Sequence, residues 1–234
     1  MPLKHRHALI TGASSGIGLA IAREFAAGGA RIALLSRRLD VLKQHAAALG
    51  ENAFALRGDV RELRSMQIAA DHVRKKWGAP ADLVVANAGV AASGPVADLT
   101  PETWNDLIAT NLTGAFHTAK AFLPDLLAGP SDLVFIASIA GTQHFPHWAA
   151  YCASKFGLVG FARSLREEVR RKGVRVTIVV AGAVDTGIWP AEKKPDPAKM
   201  LKPEDVARAV VQAVSAPPNV CHDEIRLMPA AGVL

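Results

Sequence analysis

The sequence predicts a single α/β domain, a doubly wound parallel sheet with helices on both faces. Three observations predict it. The strand-like segments are continuous apolar runs, such as HALIT and RIALLS, rather than alternating ones, as a sheet buried on both faces requires. Helix-length segments stand between them in regular alternation, which implies parallel pairing. Glycines cluster where the first strand turns into the first helix. No repeat, low-complexity tract or linker divides the 234 residues, so positions 1–234 are predicted as one domain.

The elements follow in order. His7 to Thr11 is predicted as the first strand. Gly16 to Gly28 is a helix, with Ile17, Ala20, Ile21 and Phe25 near one face. Arg31 to Ser36 is the second strand, Leu39 to Leu49 a helix, and Asn52 to Leu56 the third strand. A long helix spans Arg61 to Trp77, and a fourth strand covers Asp82 to Ala86. Thr100 caps the next helix, with Pro101 in its first turn; that helix is expected to run to about Leu127, bending before Pro124. Asp132 to Ala137 is a strand, and Ala149 to Lys172 a helix ended by Gly173. Val174 to Val180 is the sixth strand. Pro190 to Pro203, rich in Pro and Lys, is expected to be a mobile loop, part of a substrate loop at about 187–203. A helix from Pro203 to Val214 and a strand near Glu224 to Met228 complete the pattern, about seven strands in all.

Composition narrows the function. Half of the residues are hydrophobic, enough for a substantial core. No apolar run reaches the ~18 residues of a membrane span, and the opening MPLKHRHALI does not read as a signal peptide. Two cysteines, Cys152 and Cys221, make neither a disulfide framework nor a metal-ligand set, so a reducing cytoplasm is expected. The net charge of +6 comes from scattered groups: Arg37-Arg38, Lys75-Lys76, Arg170 to Lys172 and Lys193-Lys194. These are read as solvated helix ends, and no nucleic-acid or membrane partner is expected.

Three motifs carry chemistry. TGASSGIG, Thr11 to Gly18, places Gly12, Gly16 and Gly18 between a strand and a helix. Glycines there let the backbone approach a pyrophosphate, which the helix N-terminus attracts. The spacing differs from G-x-G-x-x-G, and the motif lacks the Lys-Ser/Thr ending of a triphosphate loop. The second strand ends in Ser36-Arg37-Arg38, where a cofactor with a free ribose 2′-hydroxyl would call for an acid. Arg37 instead offers a planar fork to a 2′-phosphate, which points to NADP(H). In YCASK, Tyr151 and Lys155 stand four apart and share one face of a helix. A free phenol has a pKa of about 10. An ammonium ~4 Å away, at an effective dielectric of ~20, contributes ~4 kcal/mol and would lower that value by ~3, close to neutrality. Taken singly, the motifs also fit a glycine turn without ligand, a solvated arginine pair and a surface Tyr–Lys pair.

Together, TGASSGIG, Asn111 in NLTG, Ser138 in ASIAG and YCASK resemble the short-chain dehydrogenase/reductase family, in its short single-domain branch. The resemblance covers Thr11 to about Pro229. It implies a seven-stranded Rossmann-type sheet and a nicotinamide cofactor. It also implies roles. Ser138 would bond the substrate oxygen, Tyr151 would protonate it and also contact the cofactor, and Lys155 would lower the phenol's pKa and hold the nicotinamide ribose. Asn111 would anchor a water in the proton relay. Gly12, Ser14, Ser15, Gly16, Ile17, Gly18, Arg37 and Arg38 would bind the cofactor. Asp59 and Val60 would meet the adenine, Asn87, Ala88 and Gly89 would shape the cleft, Thr186 would bond the nicotinamide carboxamide, and Gly182 and Val184 would also bind the cofactor. Two positions depart from the family pattern: Ala86 replaces an asparagine and Ala181 a proline, so local loosening near the cofactor is expected.

The reaction expected is hydride transfer between NADP(H) and a carbonyl or alcohol. The resemblance implies a pocket walled by the loop after Ser138 (here Ile139, Ala140, His144, Phe145, Trp148) and the loop after the sixth strand (Val184, Ile188, Trp189); residues so apolar favour an uncharged ketone or aldehyde. Lys193 and Lys194 leave open a 3-oxoacyl thioester on an acidic carrier protein. A non-catalytic NADP(H)-sensing protein is the alternative from another class; the presence of Ser138, Tyr151, Lys155 and Asn111 favours the enzyme. His144 and His147 lack further ligands, so no metal is expected. Ser138 has no G-x-S-x-G elbow, which argues against a hydrolase. The helix from Ala149 to Leu165 is apolar or small nearly all round, and the family implies that it meets its copy, with the helix around Asn111 to Phe122, in a homodimer or homotetramer.

Overall fold

A computed structural model describes residues 3–234. Seven strands, β1 (His7–Thr11), β2 (Arg31–Ser36), β3 (Ala53–Arg57), β4 (Leu83–Ala86), β5 (Ser131–Ile136), β6 (Val174–Ala181) and β7 (Glu224–Leu227), form one sheet. Its order is β3-β2-β1-β4-β5-β6-β7, and every neighbouring pair is parallel. The helices are α1 (Gly16–Ala27), α2 (Leu39–Leu49), α3 (Leu63–Trp77), α4 (Pro101–Ile108), α5 (Gly114–Leu126), α6 (Ala149–Val169) and α7 (Pro203–Val214). The order reverses between β1 and β4, which opens a crevice at the carboxyl ends of the strands.

The strands are apolar on both sides because both sides are covered. Leu9, Val84, Leu133 and Phe135 face one layer, with Met66 of α3, Phe122 of α5 and Leu158 of α6. Ala8, Ile10, Leu34 and Val134 face the other, with Phe25 of α1, Leu42 of α2 and Val210 of α7. Phe25, Phe122 and Phe135 are fully buried, and truncating any of them to alanine costs about 3–5 kcal/mol. At the amino ends of the strands Arg6 bridges Asp82 and Asp132, and Arg175 grips Asp132 while donating to the Val214 carbonyl at the end of α7.

The structure departs from the sequence expectation in two places, and adds detail in a third. The helix begun at Thr100 does not run unbroken to Leu127. Thr100 caps α4 as expected, by accepting from Thr103 N at 3.2 Å, but a wide π turn at Ala109–Thr113 separates α4 from α5. Helix α5 continues through Pro124 to Leu126. Helix α6 stops at Val169 and tightens into a 3-10 turn over Arg170–Lys172 before Gly173, whose φ is +86°. The stretch expected to be a mobile loop is tied at its base: Leu201 N donates to Ala183 O at 2.9 Å, and Asp185 N to Leu201 O at 2.8 Å. It contains short 3-10 turns at Ala191–Lys193 and Pro197–Lys199. The basic groups Arg74 to Lys76 and Arg170 to Lys172 do lie at helix C-terminal ends, where the dipole favours them. No helix among the described residues is long and apolar enough to cross a membrane.

Candidate active site

The crevice is a cleft of about 690 Å³. Its floor is the turn after β1. Gly12 has a φ of +66° and Gly16 a φ of +56°, a region L side chains rarely adopt. A Cβ at Gly12 would stand 2.8 Å from the Ala88 Cα, so the loops after β1 and β4 approach too closely for any side chain. Asn87 stitches them: its amide donates to Thr11 O at 2.8 Å, and Thr11 Oγ1 accepts from Asn87 N and Ala88 N at 3.0 and 3.1 Å. Gly18 does not border the cleft; a side chain there would meet Asn87 and Gly12, so its smallness serves the packing of α1.

One end of the cleft is cationic. Arg38 donates to Ser14 Oγ at 2.9 Å and Ser15 Oγ at 3.0 Å, laying its guanidinium over the glycine turn. Arg37 is exposed beside it and borders the cleft. Arg61, which the sequence reading missed, also lines this end. It grips Asp59 through Nε (3.0 Å) and Nη2 (2.6 Å) and reaches Asp106 Oδ1 at 3.1 Å. That grip holds the Asp59 carboxyl below the usual carboxylate range. Nothing but its charge marks Arg61 in the sequence; Asp59 holds it, and Asp106 of α4 adds one more contact.

The other end carries Ser138, Tyr151 and Lys155. Ser138 follows β5, and its Oγ accepts from Ala140 N at 3.1 Å. A hydroxyl has one hydrogen, which stays free to donate elsewhere. Tyr151 stands in the first turn of α6, near Ser138. Lys155, one turn on, is buried, with Nζ 5.8 Å from the Tyr151 ring centre and donating to Ile136 O at 3.1 Å. The expected fall of the phenol pKa is not met in this geometry. Burial pushes Tyr151 up to about 12, and the nearby Ser138 hydroxyl only partly offsets it. Burial also pulls Lys155 down to about 8. The phenol is therefore held protonated, in the form that donates, beside an ammonium whose proton is loosened.

Of the sequence-predicted residues, Gly12, Ser14, Ser15, Gly16, Ile17, Arg37, Arg38, Asp59, Val60, Asn87, Ala88, Gly89, Gly182, Val184 and Thr186 line the cleft with Ser138, Tyr151 and Lys155. Asn111 lies behind the wall, buried in the π turn. Its Oδ1 accepts from Val90 N at 2.8 Å, and its Nδ2 donates to Val90 O and Ser154 Oγ at 2.9 and 3.0 Å. The side chain thus braces α6 against the loop after β4. Phe145 and Trp148 reach the cleft, but His144 and His147 are exposed and do not. His147 takes a left-handed φ of +68°, and its carbonyl accepts from Gly94 N at 2.7 Å. The turn costs about 1–2 kcal/mol for a residue with a Cβ; it carries the chain around so that Trp148, not a histidine, faces the cleft. Val90, Ala91 and Leu234 complete the wall and have no sequence motif. Ala181 ends β6 in register with Leu227, and Gly182 N donates to Leu227 O at 2.8 Å, so β7 holds the backbone beside it. No cluster of metal-ligating side chains occurs among the described residues.

A glycine cradle at a helix N-terminus, cations at one end and a buried lysine beside a phenol at the other fit a phosphorylated dinucleotide. The sequence matches the short chain dehydrogenase family over residues 6–196. The chain belongs to this family. Similar proteins include the sepiapterin reductase of Chlorobaculum tepidum, 35% identical over 235 residues and 96% of each chain. The D-threitol dehydrogenase of Mycolicibacterium smegmatis is 42% identical over 74% of this chain and 67% of that one. Among solved structures, an alcohol dehydrogenase from the archaeon Thermococcus sibiricus, complexed with 5-hydroxy-NADP, superposes with a TM-score of 0.89 at 32% identity, covering 97% of both chains. This short-chain dehydrogenase is thus an oxidoreductase by family, with the seven-stranded Rossmann-type sheet its sequence predicts.

Proposed function

We propose that the protein is an NADP(H)-dependent oxidoreductase that interconverts an apolar ketone or aldehyde and its alcohol, with Tyr151 as the acid/base. One observation carries this: a single cleft joins an arginine-lined glycine turn to Ser138, Tyr151 and Lys155. Arg37 and Arg38, with no acid at the end of β2, favour a 2′-phosphate. The alcohol dehydrogenase that superposes on this chain is complexed with an NADP derivative, which supports the same choice.

The cofactor, when bound, supplies or takes up a hydride. The chain does the rest. Ser138, its Oγ fixed by Ala140 N, donates to the substrate oxygen as negative charge grows there. Tyr151 gives that oxygen its proton, and the reduced substrate leaves as an alcohol. The phenolate left behind is stabilised by the Lys155 ammonium, which can also hold a ribose hydroxyl, since only one of its three hydrogens is bound to Ile136 O. Asn111 keeps α6 in place relative to the loop after β4. Oxidation runs the same transfers backwards.

The wall beyond Tyr151 is apolar: Phe145, Trp148, Val184, Ile188 and Trp189. A free carboxylate would be poorly solvated there. Lys194 pairs with Asp185 at 2.7 Å within this chain, which takes it away from steering an acidic carrier protein. The exposed rings of Phe116 on α5 and Phe156 on α6 support a homodimer or homotetramer built on these helices, and two free cysteines support a reducing, cytoplasmic setting. The experiment is NADPH and NADH oxidation across aldehydes, ketones and 3-oxoacyl thioesters. Activity with NADPH and apolar carbonyls supports the proposal; turnover of carrier-bound thioesters alone overturns its substrate.

A further inference from the structure

We infer that Trp148 and Trp189 determine which carbonyl is accepted, selecting a substrate with a ring beside the carbonyl over one with a flexible chain. The inference rests on the reading of the cleft as a carbonyl site.

The two indoles come from different loops. Trp148 precedes α6, three residues before Tyr151, and its ring meets the Tyr151 ring edge to face, centres 5.6 Å apart. Trp189 comes from the loop after β6, and its ring meets Trp148 at 5.7 Å and 78°. The loops on either side of the cleft thus touch ring to ring. Both indoles are half-buried and line the cleft.

The pair is held from behind. Trp189 Nε1 donates to Val184 O at 2.9 Å, so its only polar hydrogen is taken and the ring offers the cleft an apolar surface. Its loop is tied at Val184 and Leu201 and by the Lys194–Asp185 pair. Trp148 is set by the left-handed turn at His147, and Trp148 N donates to Phe145 O at 3.2 Å.

Three rings meeting at steep angles, 65° and 78°, make a corner that includes the Tyr151 ring. A flat ring can lie along one wall of such a corner and present an edge to the other, the arrangement aromatic pairs prefer. A flexible chain gains the burial without these contacts, and it loses rotamer freedom on binding. The corner therefore discriminates by shape and not by charge.

The test compares benzaldehyde with hexanal, a ring and a chain of similar size, by NADPH oxidation. Wild type, Trp189→Ala and Trp189→Phe are measured, and NADPH binding is followed in each by nicotinamide fluorescence. The ratio of kcat/KM for benzaldehyde to that for hexanal is expected to fall about tenfold in Trp189→Ala, mainly through KM. Trp189→Phe, which restores a ring, should keep the ratio within about threefold of wild type. Should the alanine variant fail to bind NADPH, Trp189→Leu, which fills the space without a ring, carries the same tenfold expectation. An unchanged ratio in a variant that still binds NADPH overturns the inference and leaves the carbonyl-reductase reading standing. A wild type that binds NADPH but reduces neither aldehyde overturns both.

Discussion

Replacing Lys155 with methionine should make the protein more stable while removing its activity. The side chain is 4% exposed, and burial moves its pKa from 10.5 to about 8. Keeping the ammonium charged in that setting costs about 3 kcal/mol at neutral pH. Methionine has a similar shape and no charge, so the cost vanishes. It also leaves Ile136 O without its donor, a loss of about 1 kcal/mol. The balance is a gain of about 2 kcal/mol, or a Tm higher by roughly 4–8 °C. The pH dependence gives a second check. The folded-state pKa lies below the unfolded one, so between about 8 and 10.5 the unfolded chain binds more protons. Stability of the wild type should therefore rise with pH across that window relative to the variant, and the difference should be flat below it. Reduction by the wild type should decline as pH rises through about 8, because the ammonium that steadies the phenolate is lost. Urea unfolding of both proteins at several pH values measures the difference. A variant less stable at pH 7, with a pH profile parallel to wild type, would refute the reasoning.

Two other changes probe the remaining parts of the account. Arg37→Asp should weaken NADPH binding about 10–100-fold by removing a charge-assisted bond and adding repulsion, and raise the relative use of NADH; equal wild-type affinity for the two cofactors would contradict the role of this arginine. Phe156→Glu, at a ring 45% exposed on α6, should lower the mass seen by light scattering to that of a monomer; a monomeric wild type at micromolar concentration would remove the basis for assembly through α5 and α6.

The sequence carried the fold because its signals are local. RIALLS and LDVLKQHAAAL become β2 and α2 at the residues expected, since apolar period and flanking breakers act within a few positions. What depended on distant partners was not legible. The π turn at Ala109–Thr113 is held by Asn111 bonding Val90 and Ser154, neither of which is near it in sequence. Helical spacing put Tyr151 and Lys155 on one face, but not that the ammonium would turn to Ile136 O, nor that burial would raise the phenol instead of the lysine lowering it. Proximity in sequence to Ser138 drew His144 and His147 toward the substrate, yet both are exposed outside the cleft, His147 in a left-handed turn. Arg61 and Leu234 reach the cleft only through the tertiary fold.

The central claim is that Tyr151 gives the substrate its proton from a cleft that binds NADP(H) independently of it. The most direct measurement is a single-turnover reaction of Tyr151→Phe with NADPH and the best carbonyl substrate of the wild type, with cofactor binding measured in the same sample. The ring is kept, so NADPH should bind with wild-type affinity, while kcat should fall by at least about 10²–10⁴-fold. A variant that binds NADPH and retains most of its turnover would contradict the assignment.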